Sequence, residues 1–143
     1  MTRIVEKAVC YVSSGDHLLV FTHDDVPLTV TGVQVPAGTV RSGESAADAA
    51  VRELREETGL DGIIVRELGT EDYDLAPTRD EIARRHFFEL RVESPDITAR
   101  WRSGERDSAI GTGEQPWTCW WMPIRDAHVL AVGLGARLGT LAR

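Results

Sequence analysis

Apolar and polar positions along this 143-residue chain follow two different periods, and the change of period divides it into elements. Residues 3–12 mix β-branched and apolar side chains, Ser13 to Asp16 supply a turn, and His17 to Phe21 read as the returning strand of a hairpin. Thr22-His23-Asp24-Asp25 is a polar break, after which Val30 to Val35 form a short strand running into Pro36-Ala37-Gly38. Then the period changes. Ala47, Ala50, Val51, Leu54 and Thr58 make a narrow stripe of small and apolar residues on a helix from about Ala46 to Thr58. Ser45 with Asp48 has the capping-box spacing, and Gly59 stands where a helix-ending glycine belongs.

Beyond the helix, Ile63 to Leu75 and His86 to Val92 read as strands around turn material at residues 76–80. Residues 93–116 are rich in Gly, Ser, Pro and Asp and read as a long loop. Trp117 to Met122 is apolar on both faces, the pattern of a central strand covered on two sides, and Pro123 ends it. Asp126 to Leu141 gives a second helical pattern carried by Val129, Leu130, Val132, Leu134 and Leu138. Strands, helix, strands, helix is the order of an α/β fold with a mixed sheet between helices. Length and the absence of a repeat or linker predict one domain over residues 1–143.

The predicted helix has one costly feature. Glu53, Glu56 and Glu57 fall on one side within a single turn, and like charges at these spacings repel. A helix chosen for stability alone would interleave lysines here, so the acids call for a cation. With no Cys and no nearby His they form an oxygen-only set, which suits Mg²⁺ first and Mn²⁺ second. Gly38 lies where a loop carbonyl can add a ligand, and a glycine permits close backbone approach.

Residues 38 to 60 resemble the Nudix box, G-x5-E-x7-R-E-U-x-E-E-x-G-U, where U is a bulky aliphatic residue. Gly38, Glu44, Arg52, Glu53, Leu54, Glu56, Glu57, Gly59 and Leu60 fill every specified position. With each Gly or charged match arising by chance at roughly 7%, seven together fall below about one in ten million per start site. Ala37 departs from the pattern just outside the box, at a position many relatives give to glycine, which bears only on local loop shape.

The resemblance implies an α/β/α sandwich and a Mg²⁺-dependent pyrophosphohydrolase. Its substrate would be a nucleoside diphosphate joined to another moiety, such as a nucleoside triphosphate, a nucleotide sugar or a dinucleotide. It implies Glu53, Glu56 and Glu57 as metal ligands assisted by the Gly38 carbonyl, with Glu44 and Arg52 pairing to brace the loop–helix junction. Glu56 or Glu57 is a candidate general base. Some relatives take that base from a later loop, where Glu114 stands first and Glu105 behind it. The competing reading is a catalytically silent nucleotide-binding module, but such a module has no need to retain a repulsive acid cluster.

Composition narrows the partners. A net charge of −7 disfavours nonspecific duplex binding, while a metal would let an acidic protein take a polyanion. No apolar run approaches the roughly 20 residues of a membrane span and the N-terminus has no signal-peptide pattern, so a cytoplasmic protein without membrane contact is expected. A homodimer is compatible with the sequence. Cys10 and Cys119 read as buried small hydrophobes rather than a redox pair. Lys7 is the only lysine. Phe21, His23, Tyr73, His86 and Trp101 are candidates to stack on a base. Arg84 and Arg85 point to opposite faces of a strand, so at most one meets phosphate. The run Gly133-Leu-Gly135-Ala-Arg-Leu-Gly139 has the wrong spacing for a dinucleotide fingerprint.

Overall fold

The computed structural model describes residues 2–25, 27, 32–107 and 113–141, without the side chains of residues 104–107 and 113–115. Its centre is the strand β1 (Arg3–Ser14), which serves two partners on one edge and one on the other. Its neighbours are β2 (His17–His23), β3 (Ala37–Thr39) and β5 (Glu81–Val92). β4 (Gly62–Asp74), β6 (Arg100–Asp107) and β7 (Gly113–Pro123) complete a seven-stranded mixed sheet. The order is β4-β5-β1-β2-β7-β6, with β3 pairing beside β1. Among the described strands only β1 and β5 pair in parallel, from Arg3 opposite Glu81 to Val12 opposite Leu90.

β1 alternates strictly, and each phase feeds one core. Ala8, Cys10 and Val12 face the helix α1 (Ala46–Thr58) and pack with Leu54, Phe88, Trp117, Cys119 and Trp121. Val9 and Tyr11 face the other side and pack with Leu18, Val35, Phe87, Leu134 and Leu141. Ala49 and Ala50 are fully buried, so the small-residue stripe brings α1 down onto the sheet, and Ala49 extends the predicted stripe by one position. The Ser45 hydroxyl accepts from the Asp48 N–H at 3.0 Å, and Gly59 at φ 79° closes the helix with its N–H on the Arg55 carbonyl. Among the described residues no helix is long and apolar enough to cross a membrane.

Three expectations are corrected. The predicted second helix is instead a pair of 3-10 segments, Ile124–Val129 and Leu138–Thr140. Gly133, Gly135 and Gly139 each cost a helix about 1 kcal/mol relative to Ala, and Val132 and Gly133 both adopt positive φ. The segment still covers the second face, because the Tyr11 hydroxyl donates to the Leu134 carbonyl and accepts from the Arg137 N–H. The predicted loop at 93–116 contains β6 and the start of β7. Among the described residues β6 pairs only with β7, and its polar, charged residues carry no apolar period because an edge strand needs none. Finally, β5 starts at Glu81 rather than His86. The strand expected at Val30–Val35 lies partly outside the described residues, and Val33 and Gln34 make only isolated bridges.

Candidate functional site

α1 and β3 present the box residues to one another. β3 pairs with β1 through Ala37, Gly38 and Thr39, which sets the loop over the acidic side of the helix. The Ala37 N–H donates to Glu57 Oε1 at 2.8 Å. Gly38 lies directly beneath the Glu53 carboxylate. Glu57 is buried, and the side chains of Glu53 and Glu56 retain 12% and 33% of their exposure, so the cluster opens outward at Glu56.

Arg52 organises the cluster. Its Nε and Nη2 donate to the two oxygens of Glu44 at 2.8 and 2.9 Å, the two-pronged pairing a guanidinium offers a carboxylate. Nη1 donates to Glu53 at 2.7 Å and to Glu56 at 3.2 Å, and Nη2 also reaches the Thr39 carbonyl at 3.0 Å. The hydrogen bonds to Glu44 foremost, and then that to Glu53, push the Arg52 pKa upward. Glu44 also accepts from the Arg41 N–H at 3.0 Å, and with Arg52 as the larger cause its carboxyl is pulled down to about 2.

Two indoles hold the far end of the helix. The last carbonyls of an α-helix have no partner within it. The Trp117 Nε1–H donates to the Glu57 carbonyl at 2.6 Å and the Trp101 Nε1–H to the Thr58 carbonyl at 2.9 Å. Neither contact was legible in the sequence, because each depends on where β6 and β7 fall.

Among the described residues no three His, Cys, Asp or Glu side chains converge on a single metal position. Glu53 and Glu56 both turn to Arg52, while Glu57 turns to Ala37. Glu105 and Glu114 fall on β6 and β7, but their side chains lie outside the described residues. The stacking candidates are mostly engaged. Phe21 is buried with its ring centroid 5.1 Å from that of Trp117, Trp101 is tied to the helix end, and His86 meets Glu6 at 2.8 Å. The two arginines divide as their strand positions require. Arg84 pairs with Asp72 at the surface, whereas Arg85 is buried and lies over the Tyr73 ring at 4.3 Å. Cys10 and Cys119 are both buried and free, and burial pushes the Cys119 thiol up to about 12.

A small cavity of about 340 Å³ at Glu53, Glu56, Glu57 and Arg52 opens beside a larger one of about 590 Å³ along β1 and β5. An acid-lined helix packed against a glycine loop on a mixed sheet defines a class of α/β proteins. The chain belongs to the NUDIX domain family, whose model matches residues 5–137. A Brucella ovis protein described as an RNA pyrophosphohydrolase is 31% identical over 106 residues, 69% of this chain and 59% of its own length. An uncharacterized Nudix hydrolase of Schizosaccharomyces pombe is 40% identical over 58 residues, 41% of this chain and 28% of that one. The chain thus spans less than two thirds of either relative. The fold is shared with a NUDIX hydrolase from Nitrosomonas europaea, with a TM-score of 0.69 at 20% identity over 96% of this chain and 87% of that one.

Proposed function

We propose that this protein is a divalent-metal-dependent pyrophosphohydrolase that cleaves a phosphoanhydride bond in a nucleoside diphosphate linked to another moiety. The observation that carries the reading is the Glu53 carboxylate set over Gly38, with Glu57 held by the neighbouring Ala37 N–H and Arg52 bonded to both Glu53 and Glu56. The donor set fits a hard cation such as Mg²⁺. It is all oxygen, it carries excess negative charge, and it already draws a guanidinium between Glu53 and Glu56. Gly38 leaves room that a Cβ would fill.

Glu53, Glu56 and Glu57, with the Gly38 carbonyl, would hold the metal. When bound, it supplies charge neutralisation for the diphosphate and acidifies water for in-line attack at phosphorus. The protein's own part is placement. Arg52 fixes the Glu53 and Glu56 carboxylates, Glu44 and the Arg41 N–H fix the loop, and the Ala37 N–H fixes Glu57. The proton from water passes to Glu56, Glu57 or Glu114. The similarity to an RNA pyrophosphohydrolase adds RNA bearing a 5′-triphosphate to the substrates worth testing.

The test is a panel of nucleoside triphosphates, nucleotide sugars, dinucleoside polyphosphates and 5′-triphosphorylated RNA, each assayed with Mg²⁺ and with chelator. Metal-dependent release of a monophosphate or pyrophosphate product from at least one is expected. A panel without any such release would leave a binding module in place of a hydrolase.

A further inference from the structure

The two cavities meet at the Gly38 loop and share Lys7, Ala37, Gly38 and Glu57 in their walls. Any elongated ligand seated in both must cross this junction, and among the described residues Lys7 is the cation that both walls share.

Lys7 is placed there by strand register. It stands opposite Thr39 across the β1–β3 pair and opposite Arg85 across the parallel β1–β5 pair. The three side chains therefore share one face of the sheet in a row. Two cations on adjacent strand positions repel, and Arg79 adds a third to the same cavity. In a chain of net charge −7 that arrangement needs a reason.

The neighbouring cations are already engaged. Arg85 donates to the Val132 carbonyl and covers Tyr73, and Arg79 stands 3.8 Å from Glu81. The Lys7 ammonium donates to the neutral Thr39 hydroxyl at 2.6 Å, while Glu81 and Glu53 act on it from further away. An ammonium carries three donors. Half-burial makes the charge costly without a close anion, and desolvation lowers its pKa.

We propose that Lys7 is the substrate-positioning residue of this site, donating to the phosphate that spans the carboxylate cavity and the larger cavity beyond it. The larger cavity then takes the moiety joined to that phosphate. This rests on the hydrolase reading above.

Lys7→Gln, Lys7→Met and Lys7→Arg test it on the best substrate of the panel. Removing the charge should raise KM about 10-fold or more with kcat changed less than about 3-fold, and Lys7→Arg should restore most of the loss. Binding of methylenediphosphonate, a non-hydrolysable pyrophosphate analogue, is measured by calorimetry with Mg²⁺ and should weaken to a similar degree. Thermal unfolding identifies which of the Gln and Met variants stays folded and is read. A folded, uncharged variant that binds the diphosphonate as tightly as wild type overturns the proposal, as does a wild-type protein that does not bind it. Lys7-dependent binding without hydrolysis of any substrate would sink the hydrolase reading and leave the Lys7 site standing.

Discussion

A Cβ on Gly38 would overlap the Glu53 carboxylate, meeting its Cδ and both of its oxygens. The glycine is thus required by the acid above it and not by a turn, since its φ is not positive. Gly38→Ala must move either the loop or the Glu53 carboxylate. Displacement by about 1 Å is enough to cost roughly 100-fold in a positioned site. A 100-fold fall in kcat/KM is expected, with an overpacking loss of about 1–3 kcal/mol in urea unfolding. Wild-type kinetics in Gly38→Ala would show that Glu53 needs no such fit.

Glu44 reports the loop–helix brace through pH. Its ordinary carboxyl pKa of 4.5 is depressed to about 2 in the folded chain, chiefly by hydrogen bonds from Arg52. A depressed acid stabilises the fold above its unfolded pKa, and that contribution disappears as pH falls toward the folded value. The difference in melting temperature between wild type and Glu44→Gln, measured with chelator, should be constant from about pH 7 to pH 5. It should close as pH falls through 4.5 toward about 2. A gap that persists unchanged into that acid range would refute the pairing as the source of the stabilisation.

The helix end offers a comparison between two indoles. Trp117→Phe leaves the Glu57 carbonyl, in a buried contact, without its donor, at a cost of about 1–3 kcal/mol. Trp101→Phe removes the same kind of bond from Thr58 where it is only partly buried, so water replaces it more readily. Denaturant unfolding should rank Trp117→Phe as the more damaging. Because Trp117 holds the residue that carries a site carboxylate, it should also lower kcat, while Trp101→Phe should not. Equal effects on kcat would remove Trp117 from the support of Glu57.

The box was legible because its information is local. Gly38, Glu44, Arg52 and the three acids sit within one loop and one helix, so spacing alone brings them together. Ser45 and Gly59 marked the helix ends for the same reason. The wall of the larger cavity was not legible, because Lys7 meets Arg85 only through a parallel pairing between strands distant in the chain. A single lysine within a strand carries no signal of its own in the sequence. β6 escaped notice because Trp101 is its lone apolar anchor to α1. The C-terminal apolar residues were correctly read as core-seeking in part. Leu134 is buried, but Val129 and Val132 stay exposed where the glycines break the helical period.

Metal binding and proton transfer can be separated by thermal shift. A ligand that binds only the folded state raises stability by about 2.7 kcal/mol at 100 times its Kd. Wild-type protein should therefore melt higher with Mg²⁺ than with chelator. Glu53→Gln, Glu56→Gln and Glu57→Gln each remove a charge from the oxygen donor set, so each should lose most of that shift. Glu57→Gln, whose acid is held by the Ala37 N–H, should also lose at least about 100-fold in kcat/KM. Glu114→Gln should keep the shift, and a loss of activity there would assign it the water's proton. Glu57→Gln retaining both the Mg²⁺ shift and full activity would remove it from the metal site.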